Sequence, residues 1–434
     1  MPSDRVCELP EYRTEVFDRV RLSGADRRLL AGGALAGRLR VRELTSDRLE
    51  VTSYQHVGTV RLDGCEIRVR PKYLGTGLDV LRMLDLAWGA TPGPLPTVRH
   101  FRGGAPNLRD LVCLMVVRHG ERLLAHGVRR DYLTVEDDLR VVRGRLLPDV
   151  QLLRHHGRLD RLACRFDEHD ADIADNRLCA AALALAARTA RAPEVRSRAR
   201  LAAAGFAAHA PTPPGDVRAL LAGLSYHRHN EHYRPAHRWA GLLLSGGGLE
   251  DLSGAGDLAA QTFLVDMNRL FEDFVTRLVA WGAAGSGLLV TPQARQRRVL
   301  RDERSGGTYA ELRPDLLVSG RRDGEAFRLP VDVKYKLYGT KKLSPEDLYQ
   351  AFLYAQTLAS EPRTCVLVHP GGPEAGTARV AVRRLDGPVA ARVRSVALDL
   401  RAVLAELAGP GPSPVAARLF AEVVGLGEGV RREA

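Results

Sequence analysis

The sequence predicts a multidomain α+β protein with an N-terminal β-rich domain, a middle helical region and a C-terminal α/β domain. At 434 residues the chain exceeds what one hydrophobic core ordinarily fills. Short apolar–polar alternations dominate the first hundred residues, and helical periodicity dominates from Asp175. From Phe263 a helical stripe precedes a series of strands, an order that lays a helix against a mixed sheet. The expected bounds are 1–150, with an inserted helix at about 107–126, then 151–250 and 255–434.

The first strands fall at Leu39–Leu44, Leu49–Tyr54 and Val57–Leu62. Asp63-Gly64 then turns the chain into Cys65–Lys72, whose Ile67 and Val69 share a face, which predicts a hairpin. Ala90–Pro96 reads as a linker. A helix over Asn107–His126 follows, and Tyr132–Gly144 returns to strand character with an expected turn at Asp137-Asp138. Helices are expected at Asp175–Ala192, at Glu194–Ala208 and from Val217. The glycines at 246, 247, 248, 254 and 256 mark the clearest boundary, beyond which Phe263, Met267, Leu270, Phe271, Phe274, Val275 and Leu278 form one helical stripe. Later come strands around Asp315 and Asp332, a helix from Ser344 and a strand at Thr364–His369.

Composition bounds the function. No apolar run approaches the roughly 20 residues that span a bilayer, and the first residues lack the basic-then-apolar order of a secretory signal. Six scattered cysteines without a Cys-x-x-Cys pair fit a reducing cytoplasm better than a zinc site or a disulfide framework. A formal net charge of +12 fits a polyanionic partner, and equally fits a bias towards arginine. The histidines at 227, 229, 232 and 237 match no metal-ligand spacing and read as a polar helix end or loop.

Lysine occurs at only five positions: Lys72, Lys334, Lys336, Lys341 and Lys342. Lys334 stands two residues after Asp332, downstream of Pro314-Asp315. Lysine is a compact charge that can lose its proton, whereas arginine is not, so lysine here invites a chemical explanation. Pro-Asp, a gap and Asp-x-Lys form the pattern of a metal-dependent phosphodiesterase. Two carboxylates hold Mg²⁺, with Mn²⁺ as an alternative, and a cation faces the phosphate. The Val333 backbone carbonyl is a further candidate ligand. On a strand, Asp332 and Lys334 project one way and Val331 and Val333 into the core. Leu316–Val318 is expected as the partner strand, carrying Asp315 back beside Asp332 through a turn at Arg322-Asp323-Gly324. Ser344 caps the next helix, with Pro345 in its first turn. On that helix Gln350 and Tyr354 share a face; they either orient the lysine and contact the phosphate backbone or belong to an ordinary amphipathic helix. Lys336 is a candidate DNA contact, and Lys341 and Lys342 either touch phosphate or are solvated. Periodicity alone turns Glu272 away from its helix's apolar stripe, towards solvent.

The chain resembles the McrC family, the nuclease subunits of McrBC-type modification-dependent restriction systems. The resemblance is carried by Tyr54–Val60, Ile67–Lys72, Arg143-Gly144-Arg145, Cys164–Glu168, Asp175-Asn176-Arg177, Met267–Phe274, Arg313-Pro314-Asp315, Asp332–Lys336 and Tyr349-Gln350. It implies a Mg²⁺-dependent PD-(D/E)xK endonuclease in the C-terminal domain, with Asp315, Asp332 and Lys334 as its motif and Glu272 as the first-helix acid. It implies double-stranded DNA as substrate. It also implies an AAA+ GTPase or ATPase partner of McrB type, a ring into which the N-terminal β-rich region docks and whose hydrolysis it stimulates. Arg70 and Lys72 on the early hairpin are then candidates for activating that partner. No Gly-x-x-x-x-Gly-Lys-Ser/Thr loop occurs, so no bound nucleotide is expected. Two other readings share these residues: a stand-alone DNA-processing nuclease similar to RecB-type enzymes, and a catalytically silent adaptor that only activates an AAA+ motor.

Overall fold

The computed structural model describes residues 5–31, 33, 35–89, 107–156, 158, 160–213, 215–247, 261–338, 342–372, 378–385, 387–409 and 413–425. The expected linker at Ala90–Pro96, the glycines at 248, 254 and 256, and Lys341 lie outside the described residues.

The N-terminal stretch runs β1 (Val6–Pro10), β2 (Thr14–Asp18), α1 (Gly24–Ala31), β3 (Leu39–Thr45), β4 (Arg48–Ser53), β5 (His56–Arg61), β6 (Glu66–Arg70) and α2 (Gly77–Ala87). The middle runs α3 (Leu108–His126), β7 (Asp131–Leu139), β8 (Arg145–Leu146), α4 (Pro148–His155), β9 (Leu162–Asp170), α5 (Ala174–Thr189), α6 (Pro193–Ala207), α7 (Val217–Gly223) and α8 (Arg234–Leu244). There follow β10 (Thr262–Asp266), α9 (Met267–Gly282), β11 (Leu289–Pro292), β12 (Gln296–Arg301), β13 (Thr308–Leu312), β14 (Leu316–Arg322) and β15 (Glu325–Val333). The chain continues through α10 (Pro345–Leu358), β16 (Thr364–Pro370), β17 (Arg379–Arg383), β18 (Val389–Leu398), α11 (Leu400–Leu407) and α12 (Val415–Val424).

Two compact units result, one of residues 1–98 with 264–434 and one of residues 99–263. These bounds differ from those expected at 150 and 250. The early strands and the C-terminal α/β segment share a unit, and the helix at 107–126 belongs with the middle helices. Periodicity finds local elements, but which core they enter is decided by pairings distant in sequence. In the first unit such pairings order one sheet β1-β6-β5-β10. Met267 N donates to Gln55 O at 3.0 Å, fixing the start of α9 to the β4–β5 connection.

Within this unit, β5 and β6 form the expected hairpin, with Val60 opposite Ile67. Leu9, Val51, Val60, Ile67 and Leu264 share its buried core. The larger sheet is ordered β11-β14-β15-β16-β18-β17, with β15, β16 and β18 parallel and the outer pairings antiparallel. α10 crosses between parallel β15 and β16 and buries Ala351, Ala355 and Leu358 with Cys365, Leu367 and Val393. The β14–β15 turn is Asp323-Gly324, both with positive φ (52° and 83°), the two-residue geometry that suits a twisted hairpin. Asp266 caps α9, accepting from Asn268 N at 2.9 Å and Arg269 N at 3.3 Å. Phe263 therefore lies in β10, before the helix whose stripe it was expected to begin.

The second unit packs α3 against α5, α6 and α8. β7 pairs along its whole length with β9, Asp137 opposite Cys164, so the expected turn at Asp137-Asp138 is continuous strand. His237 is buried, with Nε2 3.0 Å from Asp175 O and Nδ1 3.0 Å from Tyr226 Oη. It is thus a core residue rather than part of a polar helix end. All six cysteines are buried and none is in a disulfide. Among the described residues no helix is long and apolar enough to cross a membrane.

Candidate active site

The β14–β15 register pairs Leu316 with Val331, which sets Asp315, one residue before β14, beside Asp332 near the end of β15. The Asp315 carboxylate accepts from Val333 N at 2.7 Å, a bond that ties the two strand ends together. Asp332 is fully buried, flanked on its other side by Leu367 of β16. Burial therefore does not distinguish the two faces expected of this strand. β15 is central in the sheet and covered on both faces, so Val331 and Asp332 are both inaccessible.

β15 ends at Val333, so Lys334 and Lys336 do not continue a strand face. Lys334 N donates to Val368 O at 2.9 Å, and Lys336 N donates back to Lys334 O at 2.8 Å, turning the chain sharply. Lys334 Nζ donates to Asp332 Oδ1 at 3.2 Å and to Gln350 Oε1 at 3.1 Å. Gln350 Nε2 donates to Tyr354 Oη at 3.0 Å, and Tyr354 Oη donates to Arg313 O at 3.1 Å. A polar chain thus runs from the lysine along α10 to the residue two before Asp315. Lys336 turns elsewhere: its Nζ lies 3.2 Å from both oxygens of buried Asp347, which also accepts from Tyr338 and Ser344.

Glu272 on α9 is half-buried, not solvated, because Gln293 Nε2 donates to its Oε1. The same nitrogen donates to Asp315 Oδ1 at 3.2 Å. Gln293, with φ of 49° and its own N–H 2.8 Å from Asp315 O, joins the helix acid to the strand acid. No motif or periodicity marked it.

Burial dominates the electrostatics. It pushes the Asp332 carboxyl up to about 7, with Lys334 opposing and Asp315 reinforcing. Burial and then the Glu272 charge raise Asp315, and burial raises Glu272 against the Gln293 bond. Burial pulls Lys334 down, but the Asp332 and Asp315 charges outweigh it and leave the ammonium stabilised.

The donor set suits a divalent cation. Asp332 Oδ2 is buried and, although 3.0 Å from Lys334 Nζ, makes no hydrogen bond of acceptable geometry. Two neighbouring carboxylates that resist ionisation are relieved by a hard cation. Among the described residues no three His, Cys, Asp or Glu side chains converge as a complete cage. Mg²⁺ does not need one, since it binds through one or two carboxylates and keeps several waters.

On the early hairpin, Arg70 Nε pairs with Glu8 Oε1 at 2.5 Å, and Lys72 Nζ sits 5.4 Å from the centre of the Tyr73 ring. Both residues are exposed where the early hairpin ends.

A family model described as "McrBC 5-methylcytosine restriction system component" matches residues 51–370. No curated protein matches the chain. A solved chain from the "Refined half-complex from tetradecameric assembly of Thermococcus gammatolerans McrB AAA+ hexamers with bound McrC" is similar, with a TM-score of 0.59 and 17% identity. The match covers 97% of this chain and 99% of that one, and at that identity it speaks for the fold. The "Cryo-EM structure of the Thermococcus gammatolerans McrBC complex" gives a TM-score of 0.46 and 19% identity over 64% of this chain and 88% of that one.

Proposed function

The chain belongs to the McrBC 5-methylcytosine restriction system component family, and from that premise we propose that it is the Mg²⁺-dependent DNA endonuclease subunit of such a system. Asp315 beside Asp332, with Lys334 held between Asp332 and Gln350, is the observation that carries the reading. In this proposal the C-terminal segment is a PD-(D/E)xK nuclease. It cuts cytosine-modified double-stranded DNA when coupled to an AAA+ ring of McrB type, whose nucleotide hydrolysis it stimulates. The similar Thermococcus gammatolerans assembly, of McrB AAA+ hexamers with bound McrC, motivates the partner.

Asp315, Asp332 and the Val333 carbonyl would hold Mg²⁺, which when bound orients and ionises water and shields the phosphate's charge. Lys334 presents its ammonium to the phosphate oxygens as negative charge develops. Asp332 keeps that ammonium charged, and Gln350, backed by Tyr354, fixes its direction. Gln293 keeps Glu272 turned towards Asp315. Asp347 restrains Lys336, which in this proposal contacts the DNA.

The test is cleavage of modified DNA by the full chain with its partner. Asp315→Ala and Lys334→Ala each lower the rate at least about a hundredfold, the typical loss of one transition-state contact. Both leave stimulation of the partner's hydrolysis at the wild-type level. Wild-type protein that activates the motor yet never cuts DNA, modified or unmodified, sinks the proposal. Efficient cutting without a partner selects a stand-alone nuclease instead.

A further inference from the structure

Behind the catalytic lysine lies a buried acid that the proposed chemistry does not use. Glu11, just after β1, has no exposed surface. Its Oε1 accepts from Lys72 N at 2.6 Å and from Tyr335 Oη at 2.9 Å. Its Oε2 is buried without a hydrogen-bond partner. Such a group is costly to bury, and a core built for stability alone would place an apolar side chain there.

What Glu11 holds is the turn next to Lys334. Once β15 ends, the Lys334 N–Val368 O and Lys336 N–Lys334 O backbone bonds hold that turn, and the Tyr335 side chain anchors it. Tyr335 is 3% exposed, 4.9 Å edge-to-face from the Tyr73 ring and 5.6 Å from the Phe271 ring, centroid to centroid. Its hydroxyl donates to Glu11, 324 positions away. Phe271 immediately precedes Glu272. Tyr12, next to Glu11, donates to Asn268 Oδ1 at 3.3 Å on the same helix. One strand end therefore braces both sides of the candidate site.

We propose that Glu11 is a positioning residue that acts through Tyr335 to set Lys334 at the reacting phosphate, and that its second bond, to Lys72 N, joins that position to the end of the early hairpin. The proposal rests on the nuclease reading. Ring packing alone confines Tyr335 to a pocket, whereas the hydroxyl bond fixes its depth and the direction of the turn. Small misplacements of a reacting group cost rate more than affinity.

The test uses the full chain with its AAA+ partner and modified DNA, well below the thermal midpoint of every variant. Tyr335→Phe and Glu11→Ala lower kcat about tenfold while KM for DNA stays within about twofold. Glu11→Gln, whose carbonyl accepts both bonds, restores most of the rate. The double variant Glu11→Ala/Tyr335→Phe is no slower than the slower single one, because both remove the same tether. Wild-type rates in the single variants, or a double variant whose losses multiply, overturn the proposal. A second readout does not depend on cleavage. With five lysines in the chain, reductive ¹³C-methylation makes Lys334 individually resolvable by NMR. Its resonance moves in Glu11→Ala and Tyr335→Phe and returns in Glu11→Gln, while that of Lys342 stays fixed. If wild-type protein never cuts DNA, the nuclease reading fails and this resonance still decides the tether: an unmoved Lys334 signal overturns it.

Discussion

Burying Glu11 gives the residue a thermodynamic signature. Burial, only partly offset by the Lys72 and Tyr335 bonds, raises its carboxyl to about 7 from an ordinary 4.5. A folded value raised above the unfolded one contributes stability that is complete below about 4.5 and is lost as pH rises through about 7. Over that window the loss is on the order of 3 kcal/mol. Glu11→Gln has no proton to lose there, so the gap in thermal midpoint between wild type and variant shifts in the variant's favour from pH 5 to pH 8. A gap independent of pH would mean that Glu11 titrates normally. The chemistry of the site was partly legible in its residues. Lys334 stood out because the chain otherwise uses arginine, and the acids at 315 and 332 gave it a role. Glu272 needed the family resemblance, since its helix periodicity pointed it at solvent. Gln293 and Glu11 carried no signal, because each matters through a bond to a residue in another element.

Elements owe their placement to contacts that sequence states only in part. The β14–β15 hairpin is the most legible, since Asp323-Gly324 fixes a two-residue turn and the turn fixes which residues face each other. α9 is less so. Its apolar stripe predicts a buried helix, but its depth is set by Gly282, where a Cβ would stand 2.2 Å from Ala416 O and 2.5 Å from Phe420 Cβ on α12. Gly282→Ala therefore forces α9 from α12 and destabilises the protein by about 1–3 kcal/mol, the usual cost of overpacking. The shift also reaches Glu272, three turns earlier on the helix. Differential scanning calorimetry checks the first effect, and an unchanged midpoint would show that the helix pair can separate freely.

For the whole molecule, the partition into 1–98 with 264–434 and 99–263 makes a prediction about fragments. Residues 264–434 contain the candidate site but lack β5 beside β10, α2 against α9, and Glu11 beneath Tyr335. Expressed alone, that fragment fails to give a cooperative thermal transition, whereas co-expressed 1–98 rescues it. A cooperative transition in the isolated fragment would separate the two halves of the unit. By itself the sequence determined the class of the elements, the hairpins, the helix caps and the acid–acid–lysine motif, because turns, caps and periodicity act over a few residues. Only the tertiary structure decided that the N-terminal strands brace the candidate site, that Asp332 is buried on both faces and that Gln293 joins two acids. Those facts arise from burial and pairing between separate elements, from 21 residues apart for Gln293 and Glu272 to 324 for Glu11 and Tyr335, where no local pattern records which surface meets which.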